Sequence, residues 1–569
     1  MDMKRLPLQN IVLFLIVVIG LVLRIYQIDR YPPSLSWDEV SIGYNAYSIL
    51  KTGRDEHGKF FPLDTFVAYG DYKPPLAVYA TVPFVALFGL NDFAVRLPSV
   101  LFGTITVLMT YFLVVELLTV FIKGKLKEKQ EYLIRGLPIL SAGLFAISPW
   151  HINISRAGFE ANIALLLVVL GITFLLRALS KPKYWIYAWF PFAASVYTFN
   201  SARYFVPIFG FVFCLCYLSY IRRNWKYFVS GVVLALIVLS PIIPHLLSKE
   251  ARLRFAEVNI FTDSSIVATS NARITRENGS IIGKILQNRR VGYARSYLIH
   301  FFDNLQPDFL FITGDGNPKF SIQDVGQLYI VEASFLIIGL LSMFLILPQM
   351  AALLLFWIIC AIIPAATARE TPHALRILNT LPTWQIFVAF GIIKTVSGIR
   401  CQLSRVMDKK KQNSVTYTVV AILIVFYIVN VAYYLHTYYL HYPREYSGEW
   451  QYGYKQALQK ITSKASLYHT IAITDAIGRP YMYTLFYTKT DPSEYRMTAR
   501  TSFDAAGFFH VHGFGKYVFG GILPSKLDPN TLYIWDTGMM PKEARIIDTV
   551  RLLDGTPVLG IFDAGQISI

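Results

Sequence analysis

Hydrophobic and polar residues follow one another along this chain in long blocks. About 20 helical residues cross the hydrocarbon core of a bilayer, so apolar stretches near that length are candidate membrane spans. Eleven such stretches are predicted, at residues 8–28, 97–121, 136–150, 160–178, 184–200, 204–220, 227–246, 326–346, 350–367, 375–397 and 415–437. The pattern predicts an α-helical polytopic membrane protein.

A further apolar stretch, Pro74 to Leu90, is short and begins with two prolines. If it is a surface helix rather than a span, the basic loops 123–129, 177–183, 222–226 and 394–411 all fall on one side of the membrane. Lys and Arg concentrate in cytoplasmic loops. This predicts a cytoplasmic N-terminus and an extracytoplasmic C-terminus. The outer segments are then 29–96, 150–159, 200–203, 247–325 and 368–375.

The C-terminal part, residues 438–569, has no long apolar block. Short β-rich runs occur at Ile471–Asp475, Leu532–Asp536 and Val558–Asp563, and helical patterns occur at Trp450–Lys464 and after Pro480. These features predict a small soluble extracytoplasmic α/β domain. It would follow a transmembrane domain formed by residues 1–437.

Composition supports this assignment. The chain is 54% hydrophobic and 16% charged, whereas soluble proteins carry about 25% charged residues. The net charge of +17 comes from basic residues that flank the spans, which argues against a nucleic-acid partner. The four cysteines show no disulfide or zinc spacing. Lys4 and Arg5 precede the first apolar stretch without a cleavage site after it, which indicates a retained signal anchor.

Two adjacent carboxylates follow the first predicted span, in Trp37-Asp38-Glu39. A partly hydrated carboxylate at a membrane surface can act as the general base for a hydroxyl acceptor, so Asp38 and Glu39 are the catalytic candidates. The structural alternative is a helix N-cap at Ser36 or Asp38, because Ser and Asp favour that position.

Cations lie near the same predicted surface. Lys73 and Arg96 flank the short apolar helix and suit a phosphate or pyrophosphate on a lipid carrier. Snorkelling of long basic side chains is the alternative. Arg156 and Glu160 lie at the apolar boundary, where ionisable groups pair or line a cavity. A mutual Arg156–Glu160 pair at helical spacing is as well supported as a substrate role.

The remaining substrate-binding candidates are polar or aromatic residues of the predicted outer segments. They are Trp37, Tyr44, Asp71, Tyr72, His151, Glu160, Arg203, Tyr204, His373 and Arg376. His151, His245 and His373 could bind a divalent metal together with Asp38, although their spacing matches no metal motif. A metal therefore stays an open alternative, and no other cofactor is expected.

Four sequence features resemble the glycosyltransferases of the GT-C fold. They are Trp37-Asp38-Glu39, Lys73-Pro74-Pro75-Leu76, Arg96-Leu97-Pro98-Ser99 and Ser155-Arg156 with Glu160. Within this fold, the chain is similar to the protein O-mannosyltransferases and to the lipid A aminoarabinose transferases. The likeness covers about the first third of the chain well, and the order of spans throughout.

The resemblance implies an inverting transfer from a polyprenyl-phosphate-linked sugar to a hydroxyl of a protein, a cell-wall glycan or a lipid. Asp38 would be the base or the carboxylate that orients the acceptor, and Glu39 would orient the substrate or the loop. Lys73, Arg96 and Arg156 would hold the donor phosphate. Membrane lipid would be a further partner.

The chain departs from the relatives at two places. Tyr72 stands before Lys73-Pro74-Pro75, where some relatives have an acidic residue. Segment 247–325 is too short and too basic for the β-trefoil of the eukaryotic enzymes. A transporter or flippase, or a non-catalytic polysaccharide-assembly protein, is the alternative function. A transporter would place ionisable residues near span centres and would show related halves, and neither is evident in the sequence.

Overall fold

A computed structural model describes residues 6–122, 134–248, 259–504, 509–542 and 544–565. The predicted basic loop 123–129 lies outside these residues. The chain forms two compact units. The first contains Met1–Arg24, Phe102–Ser155 and Glu160–Leu435, and the second contains Ile25–Leu101, Arg156–Phe159 and His436–Ile569.

The first unit is helical. Its helices are α1 (Leu6–Ile25), α4 (Asp92–Ile122), α5 (Leu137–Ala146), α6 (Pro149–Arg156), α7 (Glu160–Ser180), α8 (Tyr184–Val196), α9 (Ala202–Cys216), α10 (Leu218–Arg223), α11 (Trp225–Leu239), α12 (Ile243–Leu246), α13 (Ser264–Arg276), α14 (Ile281–Leu286), α15 (Arg289–Asp303), α16 (Glu332–Ile346), α17 (Pro348–Ala365), α18 (Thr383–Leu403) and α19 (Lys409–His436). The end of α1 and the start of α4 belong to the second unit.

Within the described residues, seven helical stretches are long and apolar enough to cross a membrane, and α5 with α6 forms an eighth candidate bent by 52°. The protein is therefore a multi-pass membrane protein, as predicted. Each of the eleven predicted spans overlaps at least one helix, but 136–150 falls on both α5 and α6, and α8, α9 and α16 have only 13 to 15 residues. The number of spans stays a prediction.

Two glycines bring a pair of apolar helices into close contact. A Cβ atom on Gly339 of α16 would collide with the backbone of Phe387 in α18, and one on Gly391 of α18 would collide with the backbone of Phe335. Small residues let helices approach closely where lipid offers no hydrophobic driving force for association. The close contact between α16 and α18 therefore requires residues without a side chain at positions 339 and 391.

The second unit holds the remaining elements. They are α2 (Trp37–Thr52), α3 (Leu76–Phe88), the strands β1 (Phe66–Ala68) and β2 (Asp71–Lys73), the helices α20 (Tyr442–Glu445), α21 (Tyr454–Ile461), α22 (Pro480–Thr488) and α23 (Pro492–Thr498), and a sheet. Helix α3 has 13 residues, so it is about 20 Å long. This is shorter than the roughly 30 Å hydrocarbon core, and the position of α3 at the membrane surface stays a prediction.

The sheet has seven strands: β3 (Thr470–Thr474), β4 (Arg500–Phe503), β5 (Phe509–Phe514), β6 (Tyr517–Gly520), β7 (Thr531–Asp536), β8 (Arg545–Arg551) and β9 (Pro557–Asp563). Their spatial order is β4-β5-β6-β3-β7-β9-β8. The central strand β3 pairs in parallel with β6 and β7, and the outer pairs are antiparallel. Tyr533, Trp535 and Phe562 form a buried cluster on it.

The predicted strands and helices of the C-terminal part are therefore present. The compact units nevertheless divide the chain differently from the predicted boundary after residue 437. Residues 25–101, which carry Asp38 and Lys73, belong to the same unit as residues 436–569. The candidate catalytic loop and the C-terminal sheet therefore belong to the same compact unit.

Candidate active site

Helix α2 begins at a capping box. The Glu39 amide donates to Ser36 Oγ at 3.4 Å, and the Ser36 amide donates to Glu39 Oε2 at 2.8 Å. Such reciprocal bonds satisfy amides that a helix start leaves without partners. Asp38 and Glu39 also place negative charge in the first turn, where the helix dipole favours it. The cap predicted as an alternative is thus Ser36, and Asp38 is not the capping residue.

Glu39 is fully buried against Arg96. Arg96 Nε donates to Glu39 Oε1 at 2.8 Å, and both side chains are 0% exposed. The same oxygen accepts the Gly158 amide at 2.9 Å. A buried carboxylate needs such partners because desolvation of a charge is costly. These bonds fix Glu39 within the loop, and its burial does not suit proton transfer to a substrate.

Arg96 also binds the polypeptide that precedes α2. Its Nη1 donates to the carbonyls of Ile28 (2.7 Å) and Pro32 (2.8 Å), and its Nη2 donates to the carbonyl of Ser34 (2.6 Å). With the bonds from Nε and Nη2 to Glu39, all five N–H groups have protein acceptors. The prediction that Arg96 binds the donor phosphate does not fit this geometry. Arg96 instead holds the loop in shape.

Asp38 lies beside a cation and remains accessible. Lys73 Nζ is 3.2 Å from Asp38 Oδ1 and 3.1 Å from Asp71 Oδ2. The Asp38 side chain is 30% exposed, which is enough to reach a substrate. Predicted residues Asp38, Asp71 and Lys73 thus form one charge cluster with a net charge of −1.

A hairpin brings Lys73 to Asp38. Strands β1 and β2 are joined by Tyr69 and Gly70, whose φ angles are 60° and 89°. Two positive φ angles are what a tight two-residue hairpin loop of type I′ requires. The Tyr69 hydroxyl donates to the Trp37 carbonyl at 2.7 Å, which ties the hairpin to the start of α2. Burial raises the pKa of the Tyr69 hydroxyl, so it stays a donor.

Arg156 is buried in aromatic surroundings. Its Nη2 donates to the carbonyls of Tyr26 (2.7 Å) and Tyr31 (3.2 Å), and its Nε donates to the Tyr438 hydroxyl at 3.1 Å. Its guanidinium also faces the rings of Tyr438 and Tyr439. Since Arg156 is 0% exposed, this geometry does not suit the predicted phosphate contact. Helix α6 ends at Arg156 and α7 begins at Glu160, so the two do not share the helix that an i,i+4 pair requires.

The predicted aromatic residues differ in access. Trp37 is 36% exposed and Tyr72 is half-buried, so both can contact a ligand. Tyr44 is fully buried, and its hydroxyl donates to the Thr490 carbonyl at 3.0 Å. Tyr44 therefore belongs to the core, and the prediction that it binds substrate does not fit.

Six predicted substrate residues lie in the first unit. His151 is buried between Arg24, which donates to Nδ1 at 2.7 Å, and Asn162 Oδ1, 3.0 Å from Nε2. Because Arg24 can only donate, the His151 proton lies on Nε2, and both nitrogens are used within the protein. The other five are Glu160, Arg203, Tyr204, His373 and Arg376.

His373 lies in a buried polar loop. Its Nδ1 is 3.9 Å from Asp315 Oδ2, and that carboxylate accepts the Ala374 amide at 2.6 Å. Burial raises the pKa of Asp315 to about 6 and lowers that of His373. Burial therefore works against charge on either partner.

A metal-binding set is not evident. Among the residues that the structure describes, no group of three or more His, Cys, Asp or Glu side chains is arranged to hold an ion. His151, His245 and His373 belong to the first unit and Asp38 to the second.

Sequence inspection missed Glu56, the carboxylate that follows α2. It is 1% exposed; Asn45 donates to its Oε1 at 3.2 Å, and its Oε2 has no hydrogen-bond partner in the described part of the chain. Burial raises the pKa of Glu56 to about 7, which the adjacent His57 counteracts. Only the tertiary structure reveals this, since Asp55-Glu56-His57 looks like an ordinary polar turn.

Replacement of Glu56 by Gln should remove a pH-dependent loss of stability. A raised pKa means that the folded protein favours the protonated form. Protonated Glu56 therefore leaves the free energy of unfolding at its full value below about pH 4.5. That stability is lost as pH rises through about 7, because Glu56 must then ionise while buried. Glu56→Gln should therefore gain up to about 3 kcal/mol over wild type at pH 8 and little at pH 5. Thermal unfolding at both pH values measures this, with exposed Glu494→Gln as control. An equal difference at both pH values would contradict the assignment.

A second residue that the sequence did not single out is Arg479, in Gly478-Arg479-Pro480 before α22. Its guanidinium lies over the Tyr69 ring, 4.9 Å from the centroid. The Gly-X-Pro sequence marks a turn before a helix, but it does not indicate which loop the turn contacts.

The fold and this loop together define a class of protein. Multiple apolar helices, a carboxylate loop after the first of them and a C-terminal α/β part make up the GT-C fold, the class predicted from the sequence. A family model described as dolichyl-phosphate-mannose-protein mannosyltransferase matches residues 14–124. That segment contains Asp38, Glu39, Lys73 and Arg96.

A solved structure with a TM-score above 0.5 supports the fold. ArnT from Cupriavidus metallidurans in the apo state is similar with a TM-score of 0.51 and 12% identity, covering 97% of this chain and 98% of ArnT. The same ArnT bound to undecaprenyl phosphate gives 0.46 and 11%, covering 99% and 98%. Archaeal oligosaccharyltransferase AglB from Archaeoglobus fulgidus, in complex with an inhibitory peptide and a dolichol-phosphate, gives 0.46 and 12%, covering 88% and 74%. No curated protein sequence matches this chain.

Proposed function

We propose that this protein is an inverting glycosyltransferase that moves a sugar from a polyprenyl-phosphate-linked donor to a hydroxyl acceptor. One observation carries the proposal: Asp38 is a partly exposed carboxylate beside Lys73, next to a Glu39–Arg96 pair that is completely buried. The arrangement separates one carboxylate that can react from one that holds the loop. It lies within the segment that matches the mannosyltransferase family model.

A lipid-linked donor suits a multi-pass membrane protein. The hydrocarbon tail of such a donor can stay in the bilayer while its phosphate and sugar reach a polar site. The matched family is described by a dolichyl-phosphate sugar, which is a donor of this class. No Gly-rich phosphate loop of a nucleotide-binding type is present in the sequence.

The proposed reaction is a single displacement. Asp38 accepts the proton of the acceptor hydroxyl as its oxygen forms a bond to C1 of the sugar. The bond between C1 and the phosphate oxygen breaks, and its electron pair leaves with the polyprenyl phosphate. Attack opposite to the leaving group inverts the configuration at C1. The acceptor hydroxyl belongs to a protein, a cell-wall glycan or a lipid.

The proposed location is the cell membrane, with the N-terminus in the cytoplasm and the Asp38 loop outside. The positive-inside rule supports this orientation, since Arg222, Arg223 and Lys226 then lie inside. A single cysteine at Lys226, in a variant without the native cysteines, should react with an impermeant reagent only after the membrane is opened. Labelling of intact cells would contradict the orientation.

The activity test uses the purified full chain with a polyprenyl-phosphate sugar and a panel of hydroxyl acceptors. We expect release of polyprenyl phosphate in step with the glycosylated acceptor, and the product should carry the opposite anomeric configuration to the donor. Retention at C1 would exclude the single displacement. Absence of transfer across donors and acceptors would argue against the enzyme class.

A further inference from the structure

Arg479 has a backbone conformation that residues other than glycine rarely adopt. It precedes α22 with φ 58° and ψ 44°, directly after Gly478 at φ 88°. For a residue with a Cβ atom, the left-handed region costs about 1–2 kcal/mol. Strained residues of this kind gather at functional sites. Gly would relieve the strain, so this position holds an arginine at a cost in stability.

The Arg479 side chain is placed by the same loop that carries Asp38. Its guanidinium lies over the Tyr69 ring at 4.9 Å, and Tyr69 is fixed by its bond to the Trp37 carbonyl. A Cβ atom on the adjacent Gly478 would touch the Trp37 ring at 3.5 Å. The turn at residues 478–479 therefore packs on both Trp37 and Tyr69, on either side of Asp38 in sequence.

Arg479 is half-buried, and it makes no hydrogen bond or ion pair with protein in the described ranges. This distinguishes it from Arg96 and Arg156, whose donors are bound to backbone carbonyls and side chains. A guanidinium presents its N–H groups in a planar fork that matches phosphate oxygens. A ring beneath it fixes the orientation of that fork.

The charges at the loop favour a further cation. The carboxylates of Asp38 and Asp71 both lie beside Lys73. A positive group over the Tyr69 ring would add to the attraction that Lys73 exerts on an anionic phosphate. The Tyr69 hydroxyl donates to the carbonyl of Trp37, the residue before Asp38, at 2.7 Å, so the ring beneath Arg479 is bound to the segment that carries Asp38.

We propose that Arg479 binds the phosphate of the polyprenyl-phosphate donor. This inference rests on the proposed function and deepens it. It assigns phosphate recognition to the C-terminal part of the chain, whereas the cations predicted to hold the donor phosphate, Lys73, Arg96 and Arg156, all lie in the first third. Lys73 then orients Asp38 as well as contributing charge, and Arg479 supplies the directed hydrogen bonds.

The test compares binding of undecaprenyl phosphate, of the uncharged undecaprenol and of inorganic phosphate to the purified full chain in detergent. We expect Arg479→Gln and Arg479→Gly to weaken binding of undecaprenyl phosphate about tenfold or more, since bonds to charged groups have this magnitude. Binding of undecaprenol should not change. Arg479→Lys should lose less, because it retains the charge. Inorganic phosphate should compete weakly, which separates a lipid headgroup from a free-anion site.

Arg479→Gly separates binding from folding. Because Gly adopts positive φ without strain, this variant should unfold at the same temperature as wild type or higher, yet bind the phosphate lipid less well. Arg551→Gln, a change at an exposed arginine of β8, is the matched control and should bind as wild type.

The binding and transfer measurements distinguish the role of Arg479 from the proposed function of the whole protein. If wild type binds undecaprenyl phosphate and Arg479→Gln and Arg479→Gly bind it equally well, the role of Arg479 is excluded and the glycosyltransferase proposal stands. Equal weakening of undecaprenol binding would also exclude phosphate recognition. If wild type neither binds the phosphate lipid nor transfers sugar from it, the proposed function itself fails.

Discussion

Asp38→Asn should lower the rate of sugar transfer by about a hundredfold to ten-thousandfold, the usual contribution of a general base. Asn keeps the shape of the side chain but cannot accept a proton from the acceptor hydroxyl. The loss should fall on the turnover rate at saturating donor, since Arg479 and the lipid tail bind the donor. Asp38→Ala should be at least as severe. Initial rates of polyprenyl phosphate release measure both.

The fold of the Asp38 variants should be intact. The side chain is 30% exposed, and its ion pair with Lys73 contributes under about 1 kcal/mol at such a surface. Asp71→Asn removes the second carboxylate that is paired with Lys73 and serves as the comparison. It should reduce the rate of transfer far less than Asp38→Asn. A larger loss for Asp71→Asn than for Asp38→Asn would make Asp71 the base. Asp64→Asn, at a carboxylate paired with Lys59, controls for the loop.

The second large effect concerns stability. Arg96→Ala should destabilise the unit that contains α2 by about 3–5 kcal/mol, because it leaves Glu39 buried without its cation. It also removes the donors to the carbonyls of Ile28, Pro32 and Ser34. The midpoint of thermal unfolding should fall by roughly 10 °C for a body of this size. Activity should disappear together with folded protein, measured by size-exclusion chromatography and thermal unfolding.

Two variants sharpen this prediction. Arg96→Lys keeps the positive charge but loses the planar set of five donors, so it should also destabilise strongly. Arg54→Ala, at an exposed arginine in the same part of the chain, should change stability by under about 0.5 kcal/mol. If Arg96→Ala unfolded like wild type but lost affinity for undecaprenyl phosphate, the phosphate role predicted from sequence would be restored.

Much of the architecture could be predicted from the order of apolar and polar residues. Each predicted span overlaps at least one helix, and the strands at 471–475, 532–536 and 558–563 are all present in the sheet. These elements could be predicted because apolar length and β-rich runs are local properties of the chain. The surface position of α3 stays a prediction, since α3 and α8 both have 13 residues.

The roles of the charged residues were less accessible. Asp38 was predicted as a catalytic residue and Lys73 as a phosphate ligand of the same site. A hairpin brings their side chains within 3.2 Å of each other. Arg96 and Arg156 carried the same sequence signal as Lys73, a cation at an apolar boundary, yet both are buried with protein partners. A one-dimensional pattern shows that a cation is near a membrane surface. It does not show how many carbonyls lie around it.

By itself, the sequence determined that this is a polytopic helical membrane protein with a carboxylate pair after the first span, and its motifs resemble those of GT-C glycosyltransferases. Tertiary structure alone decided which carboxylate is exposed, which arginines hold the loop, and that Arg479 lies over Tyr69. The physical reason is that some interactions join residues close together in the sequence, whereas others join residues far apart in it. Span length and capping depend on neighbouring residues, whereas burial and ion pairing depend on segments that are far apart in the chain, such as residues 69 and 479.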